Sequence, residues 1–288
     1  MKKLLSVFLA FVMIVALSAC MFGCDKMPEK HLIVDKDGNY GGSINEQLYG
    51  KGAPLNGEYD VKSSQYFTAP DYYNMPSTAS RTIFTKFQPY QQRMKDSSGV
   101  ACTLMLLNYF GEDVTNTYNE VALVNRYEQI NQTTVYGNGT TAQGLVNLLT
   151  DIGYEAETEE YMEYSAATDD KITDFNWWIE TIINEGKFVL VRYRDDVNVG
   201  WHVIIGYDTM GTSSIPKDDV LIFADPYDVL DHYQDGYTSS GSGRFYRWWF
   251  DTIEYSEDGT PSQTRAFENV IVTPKTPITF DRVETDTM

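Results

Sequence analysis

Histidine and cysteine are scarce in this chain, with three of each among 288 residues. No CxxC pair and no cluster of histidines occurs, so no metal is expected, and nothing in the composition calls for a cofactor. Positive charge is short as well: 22 Lys and Arg stand against 41 Asp and Glu, a formal net charge of -19. Such a balance makes the chain a poor partner for nucleic acid or anionic lipid surfaces, and no nucleic acid is expected. It reads instead as solubility and self-repulsion at a cell surface. A membrane-spanning segment is missing too. The apolar run Leu4 to Leu17 has 14 residues, whereas a helix needs roughly 20 to cross a bilayer.

That short run has a different use. Lys2 and Lys3 precede it and small residues follow it, the pattern of an export signal. It ends in Leu17-Ser18-Ala19-Cys20, which looks like a bacterial lipobox. Residues 1–19 are then a signal peptide, and Cys20 becomes the first mature residue and carries the lipid. A single acyl chain binds a membrane only marginally, whereas two chains on one glycerol hold firmly. Cys24 lacks the same context. The expected location is the outer face of the cell membrane. Cleavage removes two lysines and no acid, taking the formal charge from -19 to -21. Cys24 and Cys102 are expected to remain free thiols.

With 42% hydrophobic and 14% aromatic residues, the chain can build a sizeable core. Its polar N-terminal stretch shows no sustained period, and residues 20–80 are read as a lipidated tether. Asp35-Lys36-Asp37-Gly38-Asn39 reads as an Asp-Gly turn, because Tyr40 stands where a calcium loop needs glycine. One domain is expected over 81–275, followed by a tail over 276–288. Helical periodicity marks 99–110, closed by Gly111, a weaker segment at 115–127, a stripe of Leu145, Leu148, Leu149 and Ile152 capped by Thr140 or Thr141, and 174–184. The period then switches to strands at 188–194, 202–208, 220–226 and 269–272. Helices first and strands second predict an α+β fold, with N-terminal helices packed on an antiparallel sheet.

The chemistry is sought where a polar loop runs into a buried helix, at residues 91–111. The N-terminus of a helix offers unpaired N–H groups and the positive end of the dipole. Downstream, His202 opens one strand and Asp225 closes the next. If those strands pair, the carboxylate orients the imidazole.

At these residues the chain resembles the papain-like cysteine peptidases that process bacteriocin leaders (peptidase family thirty-nine). The likeness rests on Gln92, Ser98-Gly99-Val100-Ala101-Cys102 and Asn108-Tyr109-Phe110-Gly111. Further support comes from Gly139-Thr140, Gly153-Tyr154, Gly200-Trp201-His202, Gly206-Tyr207-Asp208 and Asp225-Pro226. It covers residues 81 to 272. The resemblance implies a papain-like fold, with Gln92 as oxyanion donor, position 98 as nucleophile, His202 as general base and Asp225 as its orienter. The departure is Ser98, which stands where the family has cysteine. Cys102 matches the family's second, structural cysteine. It lies about 6 Å further along the helix axis, so His202 does not easily serve both positions.

The serine alters the chemistry. A thiol has a pKa of about 8.5 and is driven below neutral by helix and imidazolium together. A hydroxyl must instead lose its proton during attack, through a tight hydrogen bond to the base. Two functions compete: a catalytically impaired peptidase homologue that binds a peptide or cell-envelope ligand, and an active hydrolase using Ser98 with His202 and Asp225. A transporter's substrate-binding component would need two α/β lobes and a longer chain. His31 and His232 are read as surface residues. In the pairs Trp177-Trp178 and Trp248-Trp249, one of each is expected buried and one partly exposed.

Overall fold

The computed structural model describes residues 65–66, 70–159, 169–194, 199–212, 215–228, 234–250, 253–255, 261–264 and 267–284. The signal segment, Cys20, Cys24, the Asp35–Asn39 turn, His31 and His232 lie outside the described residues.

Strands dominate the centre. A sheet runs β2 (Glu155–Glu157), β9 (Asn269–Thr273), β3 (Phe188–Arg194), β4 (Val199–Asp208), β5 (Val220–Ala224) and β6 (Tyr237–Gly241). All neighbours in it are antiparallel. β1 (Arg81–Ile83) joins at the far end of β4, pairing Arg81 with Asp208 and Ile83 with Gly206. Register shifts between Ile204 and Gly206, so β4 bends there. β7 (Ile253–Tyr255) and β8 (Pro261–Thr264) form a separate hairpin.

The central strands are continuous apolar runs rather than alternating ones because helices cover both faces. Phe188 meets Phe84, Tyr109 and Phe110 on one side. Tyr193, of opposite strand parity, meets Phe245 and Trp248 on the other. The first side carries α1 (Ser98–Tyr109), α2 (Glu120–Asn131) and α3 (Ala142–Asp151). The second carries α4 (Asp169–Asn184) and α5 (Ser242–Phe250). The α+β class expected from the sequence holds, although strands β1 and β2 interleave with the early helices.

Local chemistry sets the helix ends. Gly111 adopts φ +82 and Glu112 N–H returns to the Leu107 carbonyl, closing α1. Thr141 caps α3 by accepting from Gly144 N–H. The helix expected over 115–127 starts later. Asp113 instead holds a turn through Thr115 N–H and Asn116 N–H, and Asn119 caps α2 by accepting from Ala122 N–H. β6 and α5 carry no counterpart in the sequence reading.

The folded body is larger than 81–275. Tyr66, Tyr72 and Met75 are buried, and Tyr66 OH donates to Asp208 at 2.8 Å. At the other end, Phe280 packs on Phe84 and Arg282 binds the Thr78 carbonyl. Tyr72, Met75, Ser77 and Thr78 are thus buried within 70–80, and Ile278 and Phe280 of 276–284 pack against the core while most of that segment is exposed. Among the described residues, no helix is long and apolar enough to cross a membrane. Trp249 is fully buried and Trp248 partly so, as expected. Trp177 is 70% exposed and Trp178 only half-buried, so that pair has no buried member.

Candidate active site

Ser98 is the first residue of α1, reached by a loop that pairs Gln92 N–H with the Pro226 carbonyl at 2.8 Å. α1 is apolar along its length, with Gly99 to Leu107 all buried. Its burial anchors the helix and fixes where its N-terminus points.

Gly99 is required by close packing. A β-carbon there would collide with Thr140 Oγ1 and stand 2.9 Å from Leu145 Cδ1 and 3.0 Å from Trp201 Cδ1. The Trp201 indole is held in turn by its N–H, which donates to the Thr140 carbonyl at 3.2 Å. The helix start thereby touches the start of β4. There the backbone N–H of Trp201 donates to Ser98 Oγ at 3.1 Å.

Strand alternation turns Trp201 and His202 to opposite faces of β4. β4 and β5 pair Val203 with Ala224, so continuing that register by one residue sets His202 opposite Asp225. Their side chains meet: His202 Nε2 lies 3.4 Å from Asp225 Oδ1, and both are buried. The imidazole also packs against the Tyr193 ring, with centroids 4.4 Å apart. Burial pushes the Asp225 carboxyl up, but the His202 ring and the backbone N–H groups of Asp228 and Tyr227 outweigh it. Its pKa lies below the usual carboxylate range as a result. The Tyr227 N–H bond to Asp225 Oδ1 is 2.7 Å.

Gly200 separates serine from histidine. A β-carbon at that position would lie 3.7 Å from Ser98 Oγ and 3.8 Å from His202 Cε1. The hydroxyl and the imidazole line one small space, which the absent side chain leaves open. The structure thus brings Ser98, His202 and Asp225 together. Among the described residues, Ser98 Oγ bonds to the Trp201 amide rather than to the imidazole. Gln92 is near, but its side-chain amide donates to the Met94 carbonyl at 3.2 Å. That bond uses one of the two amide N–H groups and leaves the other for the oxyanion role expected of it.

Cys102 is buried within α1, and desolvation drives its thiol pKa well up. A thiol so buried is disfavoured as a thiolate, and the Asp225 charge adds to the effect. Among the described residues no group of histidine, cysteine and carboxylates is arranged to hold a metal. The sequence reading missed Trp201 N–H and the space at Gly200. A backbone donor has no residue signature, although Gly-Trp before a strand histidine hints at it.

A mixed α+β domain with a serine at a helix N-terminus, beside a buried histidine–carboxylate pair, is the class that fold and site define. No family model matches the chain, and no curated protein does. Among solved structures, the crystal structure of UfSP from C. elegans aligns at 13% identity with a TM-score of 0.41. The alignment covers 72% of this chain and 37% of that one.

Proposed function

We propose that this chain is a papain-like peptidase homologue, of the bacteriocin-processing type, in which serine at the nucleophile position has impaired hydrolysis. Its cleft binds a peptide or a cell-envelope ligand. The observation that carries this reading is the buried His202–Asp225 pair beside Ser98 at the start of α1. The pair supplies a base and its orienter, and the helix terminus supplies the electropositive setting suited to a thiolate. A hydroxyl gains little from that setting. It must donate a short hydrogen bond to the imidazole during attack; the bond from the Trp201 amide is one that Ser98 Oγ accepts, and it does not supply that donation.

The test compares wild type, Ser98→Cys and Ser98→Cys/His202→Ala on a peptide library. Ser98→Cys is expected to gain turnover at least about tenfold over wild type, and the double variant to lose it. No gain with cysteine would indicate a groove that has drifted to another use and would overturn impairment by the serine alone. Retention of the buried histidine–carboxylate pair favours a second reading, an active hydrolase using Ser98 with His202 and Asp225. Turnover by wild type that Ser98→Ala abolishes would select it over impairment.

The location proposed is the outer face of the cell membrane, through lipid on Cys20. The lipobox-like Leu17-Ser18-Ala19-Cys20 supports it. Labelled palmitate should enter wild type and not Cys20→Ala, and the variant should leave the membrane fraction. Equal labelling of both would overturn the anchor.

A further inference from the structure

We propose that Glu120 is the positioning residue of the nucleophile loop, setting through Ser97 and two backbone amides where residue 98 stands against β4. This rests on reading position 98 as the nucleophile position.

Glu120 opens α2 and is only 4% exposed. The favourable end of a helix dipole suits a carboxylate there. Its partners, however, come mostly from the loop before Ser98. Glu120 Oε1 accepts from Met94 N–H at 3.1 Å and from Ser97 Oγ at 2.7 Å, and Arg93 N–H lies 3.1 Å from both carboxylate oxygens. Tyr90 OH donates to Oε2 at 2.9 Å. A carboxylate offers about four acceptor positions, and these four donors fill them.

The network continues to the site in two directions. The Ser97 carbonyl accepts from Ala101 N–H at 2.9 Å, in the first turn of α1. The Met94 carbonyl accepts from Gln92 Nε2, and Ser97 Oγ stands 2.7 Å from it. The single Ser97 proton is shared between that carbonyl and Glu120. One carboxylate on a different helix thus governs the residue before Ser98, the start of α1 and the orientation of Gln92. An amide at position 120 would present N–H to donors and break this set. Buried amides left unpaired would then pull the loop into another conformation.

The test needs no substrate. In the full chain carrying Ser98→Cys, alkylation of residue 98 by iodoacetamide is followed against pH, with peptides quantified by mass spectrometry. Residue 98 should behave as a thiolate well below the free-thiol value of about 8.5. Adding Glu120→Gln should move the profile towards that value and slow alkylation at pH 6.5 by about tenfold or more. Near-UV circular dichroism should remain native. Ser97→Ala should give a smaller shift in the same direction and decides the matter if Glu120→Gln does not fold. Glu112→Gln removes a carboxylate bound to Tyr154 and Lys275 and should leave the profile alone. An unchanged profile in a folded Glu120→Gln, or in Ser97→Ala, overturns the positioning role while leaving position 98 as a nucleophile site. An ordinary thiol profile in Ser98→Cys itself removes the ground for both.

Discussion

His202 and Asp225 face each other across neighbouring antiparallel strands, Nε2 to Oδ1 at 3.4 Å, in almost complete burial. Their meeting is a consequence of register: a slip of one residue between β4 and β5 would turn one of them to the other face. Asp225→Asn should reduce stability by about 1–3 kcal/mol at neutral pH. The Asp225 pKa is depressed in the fold, so its contribution is present above the unfolded value of about 3.9 and lost as pH falls through the folded value. Urea unfolding of wild type and variant should differ by a constant amount above about pH 5 and converge below about pH 4. A gap that persists in acid would refute the assignment.

The two glycines beside Ser98 should respond oppositely to alanine. Gly99→Ala forces a β-carbon into Thr140, Leu145 and Trp201 and should cost about 1–3 kcal/mol of stability. Gly200→Ala meets its neighbours at ordinary contact distance, so its melting temperature should stay near that of wild type. The new methyl occupies the space between hydroxyl and imidazole. In the Ser98→Cys background it should slow alkylation at position 98 by about tenfold. Equal thermal shifts for both variants would contradict this account.

Asp219 gives stability the opposite slope with pH. Burial pushes its carboxyl up to about 7; hydrogen bonds from Tyr207 and Asn176 oppose this, while Asp218 and Glu180 add to it. Because the folded chain holds this proton and the unfolded chain releases it near pH 3.9, stability should fall as pH rises from about 4 to 7 and level off above. Asp219→Asn removes the titration. It should melt higher than wild type at pH 8, with the advantage gone by about pH 5. Parallel melting profiles would argue against a raised pKa.

Arg282 closes the fold from the C-terminal side. Its guanidinium donates to the Thr78 carbonyl at 2.6 Å, Thr82 Oγ1 at 2.9 Å and Asn184 Oδ1 at 3.0 Å. Since the side chain is exposed, Arg282→Ala should cost only about 1 kcal/mol. Truncation after residue 275 also removes Ile278 and Phe280, which are partly buried against the core, and should lower the melting point further. Unchanged melting of the truncated chain would return this segment to the status of a tail.

Much of the fold was readable because apolar period and turn residues are local signals. The strand at 188–194, a strand at 269–272 that extends to Thr273 in the fold, and the helix ending at Asn184 follow from them. The helix at 120–131 starts later than the period over 115–127 suggests, because Asp113 closes a turn on Asn116 N–H and Asn119 supplies the cap on Ala122 N–H. Tyr66 and Arg282 were read as parts of a tether and a tail because their partners lie more than a hundred residues away. No local pattern carries such contacts.

By itself the sequence determined the residue types at the site, their order, and the serine where the resembling family carries a thiol. It also determined the lipobox-like cysteine on which the proposed anchor rests. Tertiary structure alone decided that strand register sets His202 against Asp225, that a backbone N–H of Trp201 donates to Ser98 Oγ, and that Glu120 grips the loop before it. The reason is physical: side-chain identity is written along the chain. Hydrogen-bond partners and cleft geometry depend on which segments the buried core brings within a few ångströms of each other.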